Sequence, residues 1–183
     1  MTSTLIVVGT TNTTPGSIQT GQSPRIGIQS LTISHQGETF IKGWESLVLH
    51  YYDDAFHYCT VGWGHLTGGH RNCHSQNIVV NTPITLSQAQ ILFNADKQRI
   101  EQNVRNEIHV PLFQREFDAL CSLAFNTGSL MIAPHLRTKI NQGQYADAAE
   151  ELRDITNGGL TGLVVRRQRE YDLYLNGIYN ANH

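Results

Sequence analysis

Apolar positions in the first thirty-odd residues follow no steady period, and from Ser34 onward a helical one takes over. Phe40, Trp44, Leu47 and Tyr51 are spaced 4, 3 and 4 apart along one face, with Ser34 as the candidate N-cap, so a first helix is expected from Ser34 to about His50. Tyr51 to Leu66 mixes aromatics, Thr and Val with Asp53, Asp54 and two glycines, the pattern of a small, tightly turned antiparallel sheet. Thr85 can cap a helix whose mostly apolar face runs through Ala89, Leu92, Phe93, Asp96 and Ile100 to about Ile108. Pro111 opens the next expected helix, with Phe113, Phe117, Leu120 and Ala124 on one side and an end at Asn126–Gly128. Shorter helical patterns occupy His135–Asn141, Tyr145–Ile155 and Leu163–Leu175, separated by Gly143, Gly158, Gly159 and Gly162. About six helices around one small sheet make the class α+β and mostly helical.

Met1 to Ile33 reads differently. It is rich in Thr, Ser, Gly and Gln, and its first charged side chain is Arg25. Such a composition buries little, so the expected division is an N-terminal extension over 1–33, a catalytic domain over 34–177 and a short C-terminal tail over 178–183. The extension is read as a disordered or a docking and delivery segment, with Thr4–Val8 and Arg25–Ile33 able to form strands if something pairs with them.

At 183 residues the chain has room for one domain with a genuine core and excludes a large multidomain machine. Thirteen Lys plus Arg against fifteen Asp plus Glu give a net charge of −2, which argues against nucleic acid as a partner and against electrostatic docking on anionic membranes. The apolar run Leu5–Val8 is four residues long with no basic residue before it, too short for an export signal, and no membrane span is readable. Cys59, Cys73 and Cys121 are an odd set without a paired framework, which suits synthesis in a reducing compartment. A monomer is expected.

The chemistry gathers where the first helix meets the sheet. Glu45 stands four residues after Ile41 and three before Val48, so on a helix its carboxyl would leave the border of the apolar face, where partial burial favours a protonated general acid. Asp54 follows nine residues later and Thr60 six after that. Two carboxyl groups and a hydroxyl folded around one bond are what glycoside hydrolysis needs: an acid for the leaving oxygen and a carboxylate that activates water or attacks the sugar carbon. The alternating glycines of Thr60-Val61-Gly62-Trp63-Gly64-His65 would let a flat polymer approach the backbone.

With these residues the chain resembles the phage-type lysozymes, glycoside hydrolase family 24, to which many endolysins belong. The resemblance rests on Ile41-Lys42-Gly43-Trp44-Glu45, the spaced Asp54 and Thr60, and the Thr60–His65 block. It continues through Ile84-Thr85 and Gln88-Ala89, Phe117–Leu120, Phe125–Gly128, and Asn157-Gly158-Gly159, Gly162-Leu163, Arg166-Arg167 and Glu170, covering about residues 34 to 177. The resemblance implies hydrolysis of the β-1,4 bond between N-acetylmuramic acid and N-acetylglucosamine in peptidoglycan. Glu45 would be the acid, with Asp54 and Thr60 as water-handling partners. It also implies a lysozyme-like fold, a small sheet lobe and a larger helical lobe with a cleft between them. Gly62, Trp63, His65 and Asn126 become candidate substrate contacts, and Arg166 or Arg167 candidate partners of Glu45. The Asp53–Asp54 doublet leaves a one-residue ambiguity that the spacing resolves toward Asp54, and the stretch Thr67–Pro83 is longer and more polar than a compact family member needs.

Rival readings bear on the same residues. His65, His70, Cys73 and His74 are all ligand types within ten residues, so a zinc amidase or peptidase acting on the same polymer is the alternative chemistry, but their spacing fits no standard zinc pattern and no HExxH is present. No metal and no cofactor is expected. A non-catalytic wall-binding module is a further alternative. Two settings fit the muramidase: a phage endolysin freed at lysis by a holin-type route, or a secreted antibacterial effector. An effector would need a cognate immunity protein and, through residues 1–33, a secretion-system partner.

Overall fold

The computed structural model describes residues 24–183. Six α-helices and one three-stranded antiparallel sheet follow in the order α1 (His35–Trp44), β1 (Val48–Asp53), β2 (Cys59–Gly62), β3 (His65–Leu66), α2 (Leu86–Glu107), α3 (Gln114–Thr127), α4 (Pro134–Asn141), α5 (Tyr145–Asp154) and α6 (Thr161–Asn176). The α+β, mostly helical class holds, with a small sheet lobe against a larger helical one.

Helix α1 begins where expected, with the Ser34 hydroxyl accepting the Gly37 N–H at 3.0 Å. It stops at Trp44 and not at His50, because Glu45 turns to extended backbone (φ −98°, ψ 126°) and the β-branched and aromatic residues after it join the sheet. Glu45 is therefore the C-cap of the helix. Helix α2 starts at the expected cap, a full capping box in which Thr85 and Gln88 satisfy each other's backbone N–H groups. Helix α3 starts three residues later than Pro111, and the intervening Leu112 pairs with Ile26.

That pairing ties the front of the described chain to the body. Arg25–Ile33 forms one bridge at Ile26 and a 3₁₀ turn at Ile28–Ser30 in place of a strand, yet Ile28, Leu31 and Ile33 are buried in the main core. Arg25 makes two hydrogen bonds to Glu116, at 3.1 and 2.8 Å, and its guanidinium lies over the rings of Phe113 and Tyr145. The packed body thus includes residues from Arg25 onward. The expected Thr4–Val8 strand falls outside the described residues.

The core sits in the helical lobe around α3, where every residue from Glu116 to Ala124 is buried. The sheet lobe buries little: Cys59, Thr60, Val61, Gly62 and, from the loop after β3, Cys73. A disulfide joins Cys59 to Cys73, their Cα atoms 4.5 Å apart, and Cys121 is a free, buried thiol. The loop from Thr67 to Pro83 folds back along β2, with the Cys59 N–H donating to the Arg71 carbonyl at 2.8 Å, and this brings the two sulfurs together and leaves one cysteine of the odd set unpaired.

Candidate active site

Glu45, set just beyond the end of α1, meets both lobes. Its Oε1 accepts a 2.8 Å hydrogen bond from Nη1 of Arg166 on α6. On the other side stands Gly64, in the turn between β2 and β3, so placed that a Cβ there would lie 3.7 Å from Glu45 Oε2. One carboxylate oxygen is thus engaged and the other faces the sheet. The side chain is 20% exposed, and its neighbour is the guanidinium of Arg166, one of the two arginines that the resemblance offered as partners.

Arg166 is itself fixed. Its Nε donates to Glu170 Oε1 at 3.2 Å, Nη2 reaches the Ser122 carbonyl at 3.4 Å, and the guanidinium lies over the Trp44 ring. Arg167, the next residue, has Nη1 2.8 Å from the other oxygen of Glu170 and donates from Nη2 to Asn126 Oδ1 near the end of α3. Burial lowers the pKa of Arg167, with neighbouring Arg166 pushing the same way and Glu170 and Glu45 opposing. The two candidate arginines are therefore both inward, and they divide the candidate residues between them: Arg166 holds Glu45, Arg167 holds Asn126.

The doublet separates cleanly. Asp53 Oδ1 accepts the Cys73 N–H at 2.7 Å and ties down the loop after β3. Asp54 Oδ1 accepts the Phe56 and Tyr58 N–H groups, at 2.8 and 2.9 Å, which builds the turn between β1 and β2. Asp54 Oδ2 lies 3.5 Å from Thr60 Oγ1, which also donates to the Tyr58 carbonyl at 3.0 Å. The turn-forming and water-handling roles proposed for Asp54 use different oxygens of one carboxylate.

Tyr52 was not among the sequence candidates. It pairs directly with Thr60 across the β1–β2 ladder. Desolvation raises its phenol pKa, and the charges of Asp54 and Glu45 push it further up, so the ring stands within the field of both carboxyl groups. The available signal was its place two residues before Asp54, near the end of β1. Ser122 and Glu170 were missed as site residues for a different reason: only the packing of α6 on α3 reveals them, although Glu170 falls three and four residues after the two arginines.

Three other candidates face α2. A Cβ on Gly62 would come 3.5 Å from Ala89, Trp63 meets Phe93 edge-on at 5.6 Å beneath the Lys42 ammonium, and His65 Nδ1 pairs with Asp96 Oδ2 at 2.8 Å. Together they clamp the sheet to the first half of α2, and the close backbone approach at the site belongs to Gly64. The histidine and cysteine set of the zinc alternative does not assemble. His65 is held by Asp96, His70 packs on the Tyr58 ring, and Cys73 is in the disulfide. Among the described residues, the group of potential ligands that does converge is Asp53, Cys59 and Cys73, whose sulfurs are bonded to each other.

The phage lysozyme family model matches residues 42–170. An endolysin of Acyrthosiphon pisum secondary endosymbiont phage 1 is 33% identical over 150 residues, covering 78% of this chain and 97% of the relative. Among solved structures, the endolysin from Escherichia coli O157:H7 phage FAHEc1 superposes with a TM-score of 0.70 at 28% identity, over 82% of this chain and 98% of its own. The muramidase domain of SpmX from Asticaccaulis excentricus gives a TM-score of 0.68 at 28% identity, over 80% and 99%.

Proposed function

The chain belongs to the phage lysozyme family, and from that premise we propose how its residues divide the work of a peptidoglycan muramidase, which hydrolyses the β-1,4 bond between N-acetylmuramic acid and N-acetylglucosamine. Glu45 is the general acid. Arg166 occupies Oε1, so the proton passes from Oε2, on the side that faces Gly64, to the glycosidic oxygen. The water is handled by Asp54 and Thr60: with the Thr60 hydroxyl donating to the Tyr58 carbonyl, Oγ1 and Asp54 Oδ2 present two adjacent acceptors, and one water can donate a hydrogen to each. Its lone pair then faces away from both, toward the sugar carbon. Asn126, exposed and steadied by Arg167, is the proposed sugar contact on the helical lip.

The observation that carries this reading is the position of Glu45 between Arg166 of one lobe and Gly64 of the other. The relatives matched by sequence are phage endolysins, which favours release at phage lysis over delivery as an effector. The proposed catalytic domain begins near Arg25, and residues before it are the proposed docking or delivery segment. The substrate places the site of action at the cell wall, where the Cys59–Cys73 bridge is also at home, since disulfides persist in oxidising compartments. No helix among the described residues is long and apolar enough to cross a membrane.

The test is digestion of purified peptidoglycan by the wild type and by Glu45→Gln. The wild type is expected to release new reducing sugar ends, and the variant to be slower by at least about a hundredfold, the usual contribution of a positioned acid. Cleavage that persists in the variant, or peptides released without new sugar ends, would overturn the assignment.

A further inference from the structure

We propose that Glu170 is a positioning residue for the hydrolysis, orienting both arginines that reach the cleft. The proposal rests on the reading of Glu45 as the acid. The Glu170 carboxylate lies on α6 with no exposure to solvent, and no substrate can touch it. Its Oε1 accepts from Ser122 Oγ at 2.7 Å and from Arg166 Nε at 3.2 Å, and its Oε2 lies 2.8 Å from Arg167 Nη1. Each guanidinium thus has one edge against Glu170 and another turned outward, Arg166 to Glu45 and Arg167 to Asn126.

The charges make the arrangement necessary. Arg166 and Arg167 are neighbours in sequence, with side chains 5% and 1% exposed. Two buried cations side by side repel each other and lack water to screen them, and an anion between them offsets both the repulsion and the cost of desolvation. Helical spacing delivers that anion, since residues three and four apart share a face. Ser122 adds the constraint that Oε1 cannot rotate away without losing a buried hydroxyl partner. The catalytic carboxyl and the opposite lip of the cleft are thereby held in register by one group. A tilt of Arg166 would move the Glu45 carboxyl relative to the bond it protonates, and small misplacements of this kind weigh on the chemical step.

Glu170→Gln keeps the size and an acceptor but removes the charge and sets an amide N–H₂ among donors. On soluble peptidoglycan fragments kcat is expected to fall about tenfold, with KM within about twofold. In a double-mutant cycle with Arg166→Lys the two losses are expected to be strongly non-additive, because Glu170 acts through Arg166; a role confined to stability predicts additive effects. Ser122→Ala, which leaves every charge in place, guards against a Glu170→Gln chain that fails to fold, and a fall in kcat of about threefold is expected. Folded variants with wild-type kcat, or additive cycles, overturn the proposal. Glu45→Gln is assayed alongside: if it retains activity the acid assignment fails, whereas an inactive Glu45→Gln beside a fully active Glu170→Gln removes only the positioning role.

Discussion

Gly64 shows how narrowly the site is drawn at the scale of one residue. Its φ of +79° is left-handed backbone that other residues adopt at a cost, and a methyl group there would stand 3.7 Å from Glu45 Oε2, in the space proposed for the leaving oxygen. Gly64→Ala is expected to lose about 1 kcal/mol in urea unfolding and to lose turnover out of proportion to that. Cys121 is the opposite case: burial pushes its thiol well up, so iodoacetamide is expected to leave it unmodified in the native protein and to label it after denaturation. For Glu38, desolvation opposes ionisation, but hydrogen bonds and charge from Lys42 and Lys97 outweigh it and hold the carboxyl below its ordinary 4.5. A depressed carboxylate stabilises the fold above its unfolded pKa and ceases to as pH falls through the folded one. Glu38→Gln is therefore expected to lower the melting temperature at pH 7 and to leave it nearly unchanged near pH 3, as read by circular dichroism. The Glu45, Asp54 and Thr60 candidates were legible because a short helix end and a hairpin make them local in sequence. Glu170 and Ser122, 48 residues apart, were not, since only the docking of α6 on α3 makes them neighbours.

The helices illustrate where local signals suffice. The boundaries of α2 could be read almost to the residue, because Thr85 and Gln88 form a reciprocal cap that involves nothing else. Thr85→Ala is expected to cost about 1 kcal/mol, seen as a lower melting temperature, with turnover on soluble fragments unchanged. Helix α1 was overrun by six residues for the converse reason. Leu47 and Tyr51 continue the spacing of Phe40 and Trp44, and what ends the helix is the pairing of β1 with β2, a contact made beyond the window that a helical period samples. The same blindness hid the docking of Ile28, Leu31 and Ile33, three apolar residues in a polar stretch that find their partners on distant helices.

At the scale of the whole molecule the two lobes are held by different means. The helical lobe has a broad apolar core, whereas the sheet lobe has a disulfide and the clamp of Gly62, Trp63 and His65 on α2. Closing a loop of this length is worth about 3 kcal/mol, so dithiothreitol, or Cys59→Ser with Cys73→Ser, is expected to lower the melting temperature by several degrees and to slow glycan cleavage, because Thr60 adjoins Cys59. The sheet topology was legible from turn residues, while the bridge depends on how the loop after β3 folds back and has no local signature.

Arg25, locked between Phe113, Tyr145 and Glu116, pins the front of the described residues beside Glu116, near the start of α3. Asn126 lies ten residues beyond Glu116 along the same helix, about 15 Å away. A fluorescent or affinity module fused directly ahead of Arg25 would start about that far from the proposed sugar contact. One fused after His183 would start against the Trp44 ring, next in sequence to Glu45, and is the fusion expected to hinder turnover.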